Sequence, residues 1–143
     1  MCLQHRGAAT TLARSVKPPS SAIRGRLDEV LERIARAAER AGRQAQSVVL
    51  VGVVKTVPDE LIRQAVSLGL TDLGESRVQE AEGHIGAVGR QAARWHMIGH
   101  IQSRRAKDVV QAGCALVHSV DSVTLAERLS RQAVEAGRVQ PIL

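Results

Sequence analysis

Short β-branched runs alternate with amphipathic helical stretches along this chain, and that alternation restricts the fold more than any other feature. The first run, Val48-Val49-Leu50-Val51-Gly52-Val53-Val54, is continuously apolar, the pattern of a strand buried on both faces of a parallel sheet. Ahead of it, Leu27, Val30, Leu31, Ile34, Ala37, Ala38 and Ala41 recur at spacings of three and four, which predicts a helix from Ala22 to a stop at Gly42. After it, Pro58, Asp59 and Glu60 open a second helix, with Leu61, Ile62, Ala65, Val66 and Leu68 on its apolar face and Gly69 closing it. Further strands are predicted over 71–74, 94–98 and 114–118. Further helices are predicted over 77–86, over 102–112, and from Asp121 or Ser122 to Ala136. Ser76 with Gln79 forms a capping box for the first of these, and Gly113 and Gly137 end the other two. Val139 to Leu143 reads as the start of a fifth strand.

Strands and helices in strict alternation with short connections specify a parallel α/β sheet. The pattern leaves two architectures open. A doubly wound sheet fits within 143 residues, whereas a complete (β/α)8 barrel needs roughly 200–250. An ending on the start of a strand favours part of a larger fold.

Charge separates a leader from a body. The chain carries +6, but residues 1–27 hold Arg6, Arg14, Lys17, Arg24 and Arg26 with no acid, and the remaining 116 residues carry 15 basic and 14 acidic side chains. A basic face for nucleic acid across the body loses its support. One Trp and no Tyr or Phe exclude a base-stacking platform as well. Residues 1–20, rich in Arg, Ser, Thr and Ala, read as an unstructured extension, with an organellar transit peptide as the alternative. Residues 21–143 form the folding unit. Two cysteines make no disulfide scaffold, and no apolar run approaches the ~20 residues of a membrane span. The expectation is a cytoplasmic protein, or a mitochondrial or plastid one if the leader directs it.

Lys55 is the first candidate for chemistry. It is one of three lysines against 17 arginines, and it directly follows the first strand. The C-terminal ends of parallel strands are where α/β folds place their active sites. A partly desolvated lysine there presents a neutral amine able to condense with an aldehyde; the competing reading is a lysine extending from the strand end into solvent. Lys55-Thr56 is not a P-loop, because Val54 and Val49 occupy the positions that motif needs as glycine. His96 and His100 straddle a strand-to-loop junction without metal-ligand spacing, so no metal site is expected. His96 reads as a core or supporting residue, and Gly99 as a loop position able to approach a ligand closely. Arg104, Arg105 and Lys107 read as a solvated helix face. A Ser-His-Asp set can be assembled on paper from Ser76, His118, Ser119 and Asp121, but no G-x-S-x-G elbow accompanies it.

Four segments in order, VVLVGVVKT, Gly74 to Ala81 (GES-x-VQEA), WHMIGHIQS and VHSVDS, resemble the pyridoxal phosphate homeostasis proteins, single-domain relatives of the alanine racemase N-terminal barrel. The resemblance runs from Ile23 to Leu143 and covers the N-terminal half of that family's fold. It implies the first four βα units of a (β/α)8 TIM-type barrel and the start of a fifth strand. It also implies pyridoxal 5′-phosphate (PLP) held as a Schiff base on Lys55, with Ser76 and His96 as pocket walls, in a carrier serving vitamin B6 homeostasis rather than a catalyst. Val54 stands where the family has Ser, and Ser76 where it has Asn, which replaces an amide beside the cofactor with a shorter hydroxyl. The family's phosphate-binding residues belong to later strands, so weak and reversible binding is expected, together with self-association through open barrel edges. A non-binding relic or interaction module, and a small PLP-dependent racemase, are the alternatives.

Overall fold

A computed structural model describes residues 20–143, and the transit-like leader proposed from the sequence lies outside the described residues except for Ser20. Five helices alternate with four strands: α1 (Ser20–Arg40), β1 (Val51–Val53), α2 (Asp59–Ser67), β2 (Asp72–Glu75), α3 (Val78–Val88), β3 (Arg94–Met97), α4 (Ala106–Ala112), β4 (Leu116–Val117) and α5 (Val123–Glu135). Every predicted element is present, with β1, β3 and β4 shorter than expected and β2 shifted by one residue. The segment that begins the fourth predicted helix is a 3-10 turn, Ser103–Arg105, that leads into α4.

The strands pair in parallel in the order β1-β2-β3-β4. Each helix packs on the next, α1 on α2 through α4 on α5. Strand order that never reverses, joined by right-handed crossovers, puts all the helices on one face of the sheet. This arrangement decides between the two architectures: a doubly wound sheet reverses direction and covers both faces, whereas consecutive units on one side make an arc of a (β/α)8 barrel. The predicted fifth strand is also present in outline, since Ile142 forms a parallel bridge with Val117 and the Val117 and Leu143 N–H groups donate across it.

The core fills the space between sheet and helices. Leu73, Trp95, Met97 and Val117 from the strands meet Ile62, Ile85, Val109, Val110, Leu125 and Leu129 from the helices. Alternation along the strands sends Val51, Val53, Asp72, Gly74, His96 and Leu116 to the opposite face, which in a barrel is the interior. Here the sequence-based expectation of a first strand buried on both faces fails. Val53 is 51% exposed and Val49 55% exposed. The reason is positional, because β1 is at one edge of the four strands and no second layer covers its inner face among the described residues.

Candidate functional site

The C-terminal rim of the sheet gathers the residues singled out from the sequence. β1 ends at Val53, and the Val54 N–H still donates to the Gly74 carbonyl of β2. Lys55 follows in a turn, next to Thr56, whose φ of 62° is in the left-handed region that non-glycine residues rarely enter. Lys55 is solvent-exposed, and among the described residues its amine makes no hydrogen bond or ion pair. The expected partial desolvation is therefore absent, for the same reason that Val53 is exposed: the inner face beside β1 is open.

Ser76 continues from β2 on the same rim and is half-buried. Its backbone N–H donates to Glu75 Oε2 at 3.1 Å. The capping box with Gln79 does not form. The residue at the helix entry is Arg77, extended at φ −132° and ψ 133°, and no side chain caps α3. Gly99 packs directly against Ser76: a Cβ at Gly99 would clash with the Ser76 backbone carbonyl. The rim loops after β2 and β3 are locked together by this contact.

His96 lies on the inner face opposite Gly74 and is 2% exposed. Its Nε2–H donates to Asp72 Oδ1 at 2.8 Å, and its Nδ1 is 2.9 Å from His118 Nε2. Thr71 donates its hydroxyl to Asp72 Oδ2 at 2.8 Å, and the Arg94 guanidinium stands 3.5 Å from Oδ1. Burial pushes the Asp72 carboxyl up, but the hydrogen bonds from Thr71 and His96 and the charges of Arg94 and His96 outweigh it, leaving it below its ordinary value. His118 is lowered, by burial first and then by the His96 charge. The product is a carboxylate–imidazole–imidazole chain, buried at Asp72 and His96 and half-buried at His118, that runs from β2 across β3 to the residue after β4.

A second network went unread in the sequence. Glu75, 1% exposed on the helix-facing side of β2, bonds through Oε1 to His84 Nδ1 of α3 at 2.5 Å, and His84 Nε2 lies 3.6 Å from Asp59 at the start of α2. An acid inside a strand between apolar neighbours is a usable signal, since a buried carboxylate demands a partner. Its partner nine residues on becomes identifiable only when α3 folds back. The other polar candidates separate. His100 pairs with Asp121 at 3.0 Å, and Ser119 donates to the Gly99 carbonyl, so the paper triad is not assembled. Ser122 is the cap of α5, accepting from the Leu125 N–H. His96 and His100 do not converge, and among the described residues no group of three or more His, Cys, Asp or Glu could hold a metal ion.

Comparison with known proteins supplies the remaining context. No family model matches the chain. It is 40% identical over 118 residues to the pyridoxal phosphate homeostasis protein of Aquifex aeolicus, covering 82% of this chain and 51% of that protein. It is 39% identical over 112 residues to the protein of the same name from Pseudomonas aeruginosa, covering 78% of this chain and 48% of that one. The chain thus spans about half the length of the curated relatives it matches. Among solved structures it resembles PipY of Synechococcus elongatus with PLP bound, at 37% identity and a TM-score of 0.65 over 76% of this chain and 51% of that one. It also resembles a Bifidobacterium adolescentis protein described as unknown, at 34% identity and a TM-score of 0.78 over 87% and 54%. The four βα units correspond to part of the TIM-type barrel of such relatives.

Proposed function

We propose, on the premise that this chain is a homologue of the pyridoxal phosphate homeostasis proteins over about half their length, that it binds PLP at the rim of β1 and serves vitamin B6 homeostasis as a carrier rather than a catalyst. The observation that carries the reading is Lys55, an accessible and unpartnered amine at the C-terminal end of the first parallel strand. Bound there, the cofactor brings a reactive aldehyde, and a primary amine is the side-chain group that holds an aldehyde covalently. Relatives named for PLP homeostasis, and PipY solved with PLP, support the assignment.

Ser76 on the neighbouring strand end and His96 on the inner face are the proposed walls of the site. His96 has both ring nitrogens engaged, by Asp72 and His118, which fixes the orientation of its ring as a wall of the site. Self-association belongs to the same reading, because β1 presents an unpaired edge and exposed Val49 and Val53 beside it. No helix among the described residues is long and apolar enough to cross a membrane, and the reading has the protein act in the cytoplasm.

The test is titration with PLP, borohydride reduction and peptide mass mapping of the full chain. A phosphopyridoxyl adduct confined to Lys55 and absent in Lys55→Ala is the expected result. Equal labelling of Lys17, Lys55 and Lys107, or no labelling, would overturn the reading and leave a non-binding relic. Sedimentation at two protein concentrations tests the association: a concentration-independent monomer would contradict it.

A further inference from the structure

Five cations on or beside the helices of this protein face an acid within 4 Å. Arg24 faces Asp28, Arg36 faces Glu32, Arg63 faces Glu60, Arg77 faces Glu80 and Arg105 faces Asp108. Others, Arg33 and Arg40 of α1 among them, have no acid partner among the described residues, and four such cations meet in one place. Arg104 and Lys107, at the start of α4, share a groove of about 290 Å³ with Arg128 and Arg131 of α5, and no carboxylate lines it. Arg128 and Arg131 stand three residues apart on the face of α5 turned away from buried Leu125 and Leu129. Among the described residues Lys107, Arg128 and Arg131 make no hydrogen bond or ion pair, and Arg104 is held only by its Nε–H to Gln102 at 3.0 Å. The sequence alone shows only a short basic run after residue 103. Packing of α4 on α5 doubles it.

We propose that this groove binds a compact polyphosphate anion, a small molecule with two or more linked phosphate groups. Four cations without an ion-pair partner repel one another, and an anion of high charge density relieves that repulsion while accepting several charge-assisted hydrogen bonds. Ser103 adds a hydroxyl to the same lining. The volume suits a short phosphate chain, and no ring is at hand to stack a base, because the one aromatic side chain, Trp95, is buried in the core. A nucleic-acid polymer would need a basic track beyond the groove, and the flanking helices carry paired charges instead. The groove is formed by α4, the turn before it and α5, the helices on either side of β4 in the chain, whereas Lys55 follows β1 at the other end of the strand order, so the site is separate from the one proposed above.

Calorimetric titration of the full chain with inorganic pyrophosphate tests this. Saturable one-site binding is expected, weakened about tenfold or more in Arg128→Gln/Arg131→Gln and kept in Arg128→Lys/Arg131→Lys. Orthophosphate should bind more weakly, rising salt should weaken both, and Lys55→Ala should leave pyrophosphate binding unchanged. Both arginines are exposed, and matching thermal melts confirm that the variants remain folded. Absent saturation, affinity indifferent to the glutamine variant, or loss in Lys55→Ala would overturn the proposal. Displacement of pyrophosphate by a short RNA duplex at lower concentration would overturn it in favour of a polymer.

Discussion

His96 Nε2–H donates to Asp72 Oδ1 at 2.8 Å, joining two buried residues from adjacent strands on the face of the sheet turned away from the helices. Removing the imidazole leaves a buried carboxylate with only Thr71 and Arg94 to compensate it. His96→Leu should therefore lower stability by about 3 kcal/mol. The double variant Asp72→Leu/His96→Leu should recover much of that loss, because no charge is then left without its partner. Urea unfolding of the three proteins checks both statements, and a double variant less stable than His96→Leu would contradict the second.

The same chain sets the acid side of the stability profile. His118 is lowered from 6.5, so the unfolded chain takes up its proton first and stability falls as pH drops below 6.5 towards the folded value. Asp72 is lowered from 3.8, so its contribution is complete above 3.8 and is lost as pH falls through the folded value. Two successive losses on acidification are expected. His118→Asn should remove the upper one and leave the lower, measured as denaturation midpoints between neutral and acid pH.

Cys114 precedes β4 with no exposed surface, and burial pushes its thiol up to about 11 against the lowering charges of Arg138 and Arg90. Thiolate is the reactive form, so native Cys114 should resist alkylation at neutral pH and label only on unfolding. Peptide mapping after iodoacetamide treatment, with and without denaturant, reads this residue separately from Cys2.

Gly99 touches the chain at Ser76 so closely that no side chain fits between them, since an added Cβ would clash with the Ser76 carbonyl oxygen. That contact is with backbone, which cannot swing aside as a flexible side chain does. Gly99→Ala should cost about 2 kcal/mol and displace the rim loop that carries Ser76. If Ser76 walls the PLP site, labelling of Lys55 should fall in the same variant, whereas unchanged stability would show that the two loops separate freely.

Periodicity made most of the fold readable, because a helix or strand declares itself through the spacing of its own apolar residues. The run before Gly113 ends where a left-handed residue, φ +72°, closes α4, as the glycine implied. Strand lengths were less readable: the continuous apolar run from Val48 to Val54 pairs only from Val51 to Val53, because pairing depends on how far β2 extends beside it. Lys55 was legible because it follows a strand directly. Its exposure was not, since burial at a rim depends on what lies across the sheet.

What the sequence determined by itself is therefore local: the order of helices and strands, their parallel sense, the glycine stops and the lysine at the first strand end. What only the tertiary structure decided is which distant residues meet. The union of Asp72, His96 and His118 across 46 positions, the Glu75–His84 pair, and the two helices that together make a four-cation groove all arise from register and packing. The physical reason is that a hydrogen-bonded or charged side chain fixes the kind of partner it needs but not that partner's place in the chain. The folding of each helix back onto the growing sheet settles the place.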